Sequence, residues 1–515
     1  MSLFRSAAVI SGMTLLSRVT GLIRDILIAR VFGVSSDTDA YYVAFRLPNL
    51  LRRLFAEGAF QQAFVPMLAD SKENKEFSET KQFIDRIASV LAMVVLAVSI
   101  LGVFIAPILV WIIASGLAQQ SHAFNIATEL TRYMFPYIFF MSMVAFCSAV
   151  LNTWKHFAIP AVVPVLLNLS LISATLFIAP KLDRPIYALA IGVMSGGLLQ
   201  LLVQLPSLKK MGLLPHPINP FSAIRDASVR KVIKLMAPAL FAVGVAQISI
   251  LINTNIASFL QEGSVTWLAY ADRLMEFPTA LLGVALGTVL LPSLSSAYAK
   301  KDLDRYNKLL DWGLKLVVVF AVPASIGLAC ISKELIDVLF RSSRFVSYDI
   351  EQTSMAVLGY SCGLIGLIAI KILAPGFYSQ KDIKTPVKIA CVALVATQML
   401  NLINVPLFAH AGLALSVGLG ACINALLLLV VLYKRGQYRP TNGWKKLFLT
   451  VFIGCIVLFT ILYVCEQNLL SLNSLNGPYQ LIVLLATIAI AGFAYLLILF
   501  IFGYRISDLK ASELE

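Results

Sequence analysis

Charged side chains interrupt two strongly apolar stretches near the start of the chain, which reads SRVTGLIRDILIARVFGVSSDTDAYYVAFRLPNLLRRLFAEGAFQQAFVPM from position 17 to 67. The charges within or close to these stretches include Arg18, Arg24, Asp25, Asp39, Arg46, Arg52, Arg53 and Glu57. One charge at bilayer depth costs roughly 2.5–3.5 kcal/mol, whereas a whole protein is stable by only about 5–15 kcal/mol. These side chains must therefore face protein or a water-filled cavity. An arginine-rich cavity suits an anionic ligand.

Helical periodicity places several of these charges on shared faces. At ~100° per residue, Arg18 and Asp25 lie on nearly one face of the first stretch. Arg24 has Asp25 or Asp39 as a nearby acid, so local pairing is one interpretation of its charge. Arg52 points away from the polar face of the second stretch. That face carries Asp39, Arg46, Asn49, Arg53 and Glu57.

Ion pairing within the helices explains only part of this charge. Arg53 has Glu57 one turn later, which favours a local ion pair. The other arginines of the set, Arg18, Arg24 and Arg52, exceed the acids available on matching faces. A guanidinium stays charged at every relevant pH and can bind a phosphate through two parallel hydrogen bonds. The sequence therefore predicts a phosphate-bearing substrate.

A second charged group lies in a later apolar stretch. It consists of Asp272, Arg273 and Glu276, of which the last two can also pair with each other within one helix. Pro278 follows two residues later, and Pro48 occupies the related place in the earlier stretch. Proline inside a helix removes a hydrogen bond and kinks the helix. We expect both prolines to act as hinges.

The composition indicates an integral membrane protein. Of 515 residues, 59% are hydrophobic and only 13% are charged, and the mean hydropathy is +0.85. Soluble domains do not have this composition. About fourteen apolar runs are long enough to cross a bilayer. These predicted spans lie at 7–33, 37–69, 84–114, 126–153, 159–180, 186–205, 232–260, 265–299, 312–331, 349–374, 386–408, 412–433, 447–465 and 479–504.

Every second connection between the predicted spans is strongly basic. These basic connections lie at 70–83, 206–231, 300–308, 381–388 and 434–446. Basic loops stay on the cytoplasmic side of a membrane, so the alternation predicts that both termini are cytoplasmic. It also explains the net charge of +14 without nucleic acid as a partner.

An internal repeat divides the spans into two halves. Both AFRLPNLLRRLFAEGAFQQAFVPML in the second span and ADRLMEFPTALLGVALGTVLLPSL in the eighth contain Ala-x-Arg-Leu and end in an apolar-Pro-x-Leu pattern. Six spans separate the copies, which predicts parallel halves with a substrate site between them; chance similarity between two helices is the alternative. The predicted domains are an N-lobe at 1–205, a cytoplasmic connector at 206–231, a C-lobe at 232–434, and two further spans at 435–515.

Motifs for enzymatic chemistry are absent from the sequence. There is no G-x-x-x-x-G-K-[ST], which would bind a nucleotide, and no H-E-x-x-H. The four histidines are scattered without metal-ligand spacing. We therefore predict no metal and no cofactor, and a transport activity driven by the membrane potential or an ion gradient.

Three motifs resemble the MurJ (MviN) family of lipid II flippases, in the multidrug/oligosaccharidyl-lipid/polysaccharide exporter superfamily. They are SRVTGLIRD (17–25), DAYYVAFRLPNLLRRLFAEGAFQQAFVP (39–66) and YADRLMEFPTALLGVALGTVLLPSL (270–294). The resemblance implies an all-α fold of fourteen helices: two six-helix lobes around a cavity, and two C-terminal helices that form a groove for a lipid tail. It implies lipid II, the undecaprenyl-pyrophosphate-linked disaccharide-pentapeptide, as substrate.

The resemblance also implies roles for individual residues. The substrate-binding arginines fall on Arg18, Arg24, Arg52 and Arg273. The cavity-lining acids fall on Asp39, Glu57 and Glu276, and we add Asp25, Asn49, Arg53 and Asp272 as supporting residues. Some relatives hold sodium with aspartates in the second lobe. This chain has Asn253, Asn255, Asn401 and Asn404 there instead, so no sodium site is predicted.

The expected function is an alternating-access flippase that moves lipid II from the cytoplasmic to the periplasmic leaflet of the bacterial inner membrane for cell-wall synthesis. Membrane lipids and other cell-wall synthesis proteins are the expected partners. The alternatives within the superfamily are a drug/cation antiporter, which the surplus arginine opposes, and a flippase for another polyprenyl-linked oligosaccharide. A polyprenyl-phosphate transferase would need clustered acids for a metal-pyrophosphate. A scaffold protein would leave the cost of the intramembrane arginines unexplained.

Overall fold

The structure, a computed structural model, describes residues 3–52, 60–470 and 477–504. Within these ranges the regular secondary structure is helical, without strands. The α-helices are α1 (Leu3–Phe32), α2 (Ser36–Leu51), α3 (Phe60–Asn74), α4 (Phe77–Phe104), α5 (Ala106–Ile113), α6 (Ser121–Met134), α7 (Tyr137–Thr153), α8 (Ala158–Ser173), α9 (Tyr187–Leu202), α10 (Leu205–Lys210), α11 (Pro220–Ala223), α12 (Ala227–Ser258), α13 (Ser264–Ala299), α14 (Leu303–Cys330), α15 (Ser332–Phe340), α16 (Ser347–Ser361), α17 (Leu364–Tyr378), α18 (Lys384–Lys434), α19 (Trp444–Cys465) and α20 (Gly477–Ile501).

The helices follow the predicted spans closely. Among the described residues, nine helical segments are long and apolar enough to cross a membrane. They are Phe77–Phe104, Ser121–Thr153, Ala158–Lys181, Tyr187–Lys210, Leu303–Cys330, Ser347–Tyr378, Lys384–Lys434, Trp444–Asn468 and Tyr479–Ile501. The predicted all-α membrane fold is therefore confirmed. The count of fourteen spans stays a prediction.

Helix α18 contains a chain reversal and is in fact two helices. Ala409 has φ 49° and ψ −127°, which is not helical. The Asn404 amide donates to the Ser416 hydroxyl at 3.1 Å, although residues this far apart in a straight helix would be separated by ~18 Å. A Cβ on Gly412 would collide with the backbone of Asn404, so the tight return requires glycine there. The two arms correspond to the predicted spans 386–408 and 412–433.

The chain divides into two compact units, residues 1–266 and 267–515. In the first unit, α1 packs against α8, α2 against α6, and α8 against α9. One of its hydrophobic clusters includes four buried phenylalanines, in which the ring of Phe64 stacks on those of Phe60, Phe83 and Phe146. Contacts place α12 in this unit, whereas the sequence predicted a C-lobe that begins at residue 232. The predicted lobe boundaries stay a prediction.

In the second unit, α14 packs against α17 and α19, α16 and α17 pack against α18, and α19 packs against α20. A buried hydrogen bond joins the C-terminal helix α20 to α14. Pro323 lies inside α14 and has no N–H, so the carbonyl of Val319 lacks its helical donor. The hydroxyl of Tyr495 donates to that carbonyl at 2.7 Å. This bond satisfies a backbone group that would otherwise be costly in an apolar setting.

A buried carboxylate fixes the connection between α18 and α19. Asp311 on α14 is 2% exposed and forms an ion pair with Lys315 at 2.8 Å. It accepts hydrogen bonds from the Tyr438 hydroxyl at 3.0 Å and from the Trp444 indole at 2.8 Å. The backbone N–H of Thr441 donates at 3.3 Å. Asp311 therefore holds the loop that leads into the two C-terminal helices.

We predict that Tyr495→Phe destabilises the protein while leaving the ring packing intact. The substitution strands the Val319 carbonyl, and intramembrane hydrogen bonds of this kind are worth about 0.6–1.7 kcal/mol. The matched control is Tyr463→Phe on α19, where the side chain is 51% exposed. Thermal unfolding of the purified proteins in one detergent should give a lower Tm for Tyr495→Phe than for the control. Equal Tm values would show that the Tyr495 hydrogen bond does not support the fold.

Candidate functional site

Arg24 makes three side-chain hydrogen bonds, two to Asp25 beside it on α1 and one to Asn168 on α8. Its Nε and Nη2 donate to Oδ1 of Asp25 at 2.8 and 2.7 Å, and its Nη1 donates to Oδ1 of Asn168 at 2.9 Å. The side chains of Arg24 and Asp25 are only 16% and 7% exposed. An ion pair in such a setting interacts far more strongly than one in water. The guanidinium is therefore fixed in orientation, and its charge is balanced by the adjacent residue.

Asn168 orients this pair, and sequence reasoning missed it. Its side chain is 5% exposed on α8. The amide nitrogen donates to the Ser17 carbonyl at 3.0 Å and to the Thr20 hydroxyl at 3.2 Å, which turns its oxygen towards Arg24. The only signal in the sequence is one amide within the apolar run AVVPVLLNLSLIS. A buried amide in such a run indicates a polar partner on another helix.

Arg18 lies on α1 two turns before Asp25 and is partly buried. Near the end of α2, Nε and Nη2 of Arg52 donate to Oδ1 of Asn49 at 3.1 and 2.7 Å. Pro48 is buried just before this pair, inside the helix. The predicted sites Arg53 and Glu57 lie outside the described residues.

Asp39 caps the start of α13. Its carboxylate is 4% exposed and accepts hydrogen bonds from the backbone N–H of Gly263 at 2.7 Å and of Thr266 at 2.8 Å. The Thr266 hydroxyl donates to it at 2.6 Å. A negative charge at a helix N-terminus satisfies backbone donors and is favoured by the helix dipole. Arg46, on the same helix as Asp39, donates to the Thr254 hydroxyl at 2.7 Å.

These contacts attach α2 to residues 254–266 of the same unit. The structure gives Asp39 a capping role that the sequence did not reveal. Its predicted role in lining a cavity stays a prediction.

The second unit carries the other predicted arginine. Arg273 on α13 donates to Glu276 at 3.0 Å, and the two side chains are 24% and 35% exposed. This is the pair within one helix that the spacing allowed. Asp272 is exposed, and Pro278 lies inside the same helix.

Three of the four asparagines that stand where a sodium site was considered make hydrogen bonds within their own unit: Asn255, Asn401 and Asn404. In the first unit, the amide of Asn255 donates to the Ser115 hydroxyl at 2.9 Å. In the second, the amide of Asn401 donates to the Gln398 oxygen at 3.0 Å, in addition to the Asn404 bond described above. No group of three His, Cys, Asp or Glu side chains among the described residues could hold a metal ion. Arg24, Arg52 and Arg273 can each bind an oxyanion through the guanidinium group.

An all-helical chain with many apolar spans and partly buried, oriented guanidinium groups defines a multi-span membrane protein of the transporter class. A sequence profile described as "Lipid II flippase MurJ" matches residues 28–504. A protein of Burkholderia cenocepacia called "Lipid II flippase MurJ" is 49% identical over 98% of each chain. A "Probable lipid II flippase MurJ" of Vibrio cholerae is 37% identical over 99% of this chain and 98% of its own. The chain therefore belongs to the MurJ family, as its motifs suggested.

Comparison with solved structures agrees with this assignment. A structure titled "Lipid II flippase MurJ, inward closed conformation" matches with a TM-score of 0.79 at 26% identity, over 96% of this chain and 98% of that one. An inward-facing multidrug resistance MATE family transporter of the MOP superfamily matches with a TM-score of 0.66 at 12% identity, over 83% and 98%. The second likeness shows a shared fold only.

We predict that Asp39→Asn destabilises the protein. An amide of the same shape has one acceptor instead of two, and its NH₂ group would face a backbone N–H of Gly263 or Thr266. Leaving a buried donor without an acceptor costs about 1–3 kcal/mol. The matched control is Asp37→Asn in the first turn of the same helix, where the carboxylate is 40% exposed and pairs with His122 at 3.2 Å. If thermal unfolding gives both variants the same Tm, Asp39 has no capping role.

Proposed function

We propose that this protein moves lipid II from the cytoplasmic to the periplasmic leaflet of the bacterial inner membrane, and so supplies peptidoglycan synthesis. The observation that carries the proposal is the relation to the Burkholderia protein named a lipid II flippase, which extends over nearly the whole of both chains at 49% identity. Function and fold are then those of a transporter and not of an enzyme. The substrate is the lipid-linked precursor, with membrane lipids as surroundings.

The chemistry of the arginines supports this substrate. Lipid II carries a pyrophosphate between its polyprenyl tail and its sugar. A guanidinium group can bind a phosphate through two parallel hydrogen bonds. We propose Arg18, Arg24, Arg52 and Arg273 as the residues that bind the pyrophosphate. Arg24 supports this best, since its orientation is fixed by Asp25 and Asn168.

The ion pairs make such binding reversible. A pyrophosphate that reaches Arg24 or Arg273 competes with Asp25 or Glu276 for the guanidinium, so one ion pair replaces another. The net gain is smaller than the full attraction between the charges, because the original pair must be separated. A transporter needs this property, since a site that bound its substrate too tightly would not release it.

The membrane potential can supply the driving force. A pyrophosphate diester carries about two negative charges at neutral pH, and moving one charge across the membrane is worth about 2.3 kcal/mol per 100 mV. Outward movement of an anion from a negative interior is favourable, so about 4–5 kcal/mol per 100 mV favours export of the headgroup. We propose that the membrane potential, and not a cofactor, drives transport. An ion gradient is the alternative source of energy.

We propose that both termini are cytoplasmic. The alternating basic loops support this orientation, because basic loops stay on the cytoplasmic side of a membrane. The test introduces one cysteine at a time, at an exposed position, into a variant that lacks the seven native cysteines. Cysteines at Ser121 and Ser343 should react with an impermeant maleimide added to intact spheroplasts, whereas cysteines at Ser78 and Asp304 should react only after lysis. The reverse pattern would overturn both the topology and the proposed direction of transport.

We predict that Arg24→Ala and Arg273→Ala weaken lipid II binding about 10-fold to 100-fold. Charge-assisted hydrogen bonds are worth about 1.5–3 kcal/mol, and each 1.4 kcal/mol is a factor of ten in Kd. Lysine at either position should restore part of the affinity, because it keeps the charge and loses the planar two-bond geometry. The measurement is lipid II binding to the purified proteins, with the Tm of each variant as a folding check.

The matched control for this series is Arg30→Ala, which removes an exposed arginine from the same helix as Arg24. Its affinity should stay within about twofold of the parent's, since screened surface charges contribute little. Parent-like affinity of Arg24→Ala and Arg273→Ala would show that these arginines are structural. A loss that the Arg30 variant shares would mean that only overall charge matters.

A further inference from the structure

The connection between α9 and α12, together with the first turns of α12, is strongly basic. Residues 206–234 contain six basic side chains and one acid. The basic residues are Lys209, Lys210, Arg225, Arg230, Lys231 and Lys234, and all six are exposed. The one acid, Asp226, pairs with Arg86 at 2.8 Å and caps α12 through the N–H of Ser228 at 2.9 Å. A hydrogen bond from the Ser228 hydroxyl holds the pKa of Asp226 below its usual range. The acid is therefore engaged elsewhere, and the six basic groups face solvent.

A large aromatic side chain lies among these basic groups and points outward. Phe221 is 70% exposed in the single turn α11. That turn is well fixed, because the Asn219 side chain accepts from the Phe221 N–H at 3.0 Å and Ala223 on its other side is buried. Ile218, three residues earlier, is also exposed. Phe221 and Ile218 together form an exposed apolar surface beside the basic side chains, and a contiguous exposed apolar surface is the feature that marks interaction sites.

Neighbouring contacts place this turn at the edge of the apolar belt. The backbone N–H of Ile218 donates to the Ser89 hydroxyl on α4 at 3.0 Å. From Val94 onward, the outer face of α4 is exposed and apolar, and includes Leu96 at 50% exposed. Ser89 precedes Val94 by only ~7–8 Å along the helix axis. Ile218, three residues before Phe221, is thus held within two helical turns of the start of this apolar surface.

We propose that Phe221 and the basic side chains around it, Arg225 and Arg230 above all, form a docking site for an anionic phospholipid. The ring lies at the acyl boundary, and the guanidinium groups contact the headgroup phosphate. Aromatic residues and snorkelling basic residues favour this zone of a bilayer, and basic clusters beside a membrane helix attract anionic lipids. The site anchors the connector to one leaflet. It does not depend on the proposed substrate, so its test is separate from that of lipid II binding.

The test uses the full-length protein with p-benzoylphenylalanine at position 221, reconstituted into vesicles with a majority of phosphatidylcholine and a minority of phosphatidylglycerol. After illumination, mass spectrometry of the peptide that contains position 221 identifies the attached lipid. We expect lipid adducts in which phosphatidylglycerol is enriched about threefold or more over its share of the vesicle. The control position is Glu73, exposed in the same unit near the end of α3, where lipid adducts should be nearly absent.

A second pair of proteins tests the charges. Arg225→Gln with Arg230→Gln, in the protein labelled at position 221, should keep the lipid adducts but reduce phosphatidylglycerol to its share of the vesicle. Lys75→Gln, which removes an exposed charge outside the connector, should leave the enrichment unchanged. Adducts at 221 no more frequent than at Glu73 would overturn the proposal, because the ring would not contact lipid. Adducts without headgroup preference in the parent would overturn it equally, because the basic side chains would select nothing.

Discussion

The cost of an unbalanced charge in an apolar protein governs the arrangement of the first unit. Arg24 cannot remain in a setting where it is 16% exposed unless oxygens satisfy its guanidinium, and Asp25 and Asn168 provide them. Asn168 in turn needs acceptors for its amide nitrogen, which it finds at the Ser17 carbonyl and the Thr20 hydroxyl on α1. The pairing of α1 with α8 is therefore specified by polar groups as well as by apolar packing, since lipid removes most of the hydrophobic drive for helices to associate.

The same rule explains how the second unit holds its C-terminal helices. Pro323 leaves the carbonyl of Val319 without a helical donor, and the hydroxyl of Tyr495 replaces it from α20. Asp311 is buried and collects donors from the loop before α19. In both places a polar group on α14 makes hydrogen bonds outside its own helix and so fixes the position of a C-terminal helix. Helix breakers and buried acids in this protein thus specify tertiary contacts.

Features set by local sequence could be predicted, and features set by distant pairing could not. Apolar runs of sufficient length located the helices, and the spacing of Arg273 and Glu276 allowed the pair that the structure contains. Neither Asn168 near Arg24 nor Asp39 at the start of α13 could be found in this way, because more than a hundred residues separate the partners in each case. The reversal at Ala409 was predicted only as a gap between two spans. Its non-helical dihedrals fall on an alanine, which carries no turn preference of its own.

The partners of the arginines bear on how a flippase of this kind would turn over. A guanidinium that already has a carboxylate beside it gains only the difference between two ion pairs when a phosphate arrives, and loses only that difference when the phosphate leaves. Such a site selects for a phosphate over neutral groups without holding it tightly. A potential of about 100 mV would contribute about 4–5 kcal/mol for two charges, which is of the same order as the affinity predicted for Arg24 and Arg273 together. Under the proposed coupling to the membrane potential, the balanced arginines choose the substrate and the potential sets the direction of movement.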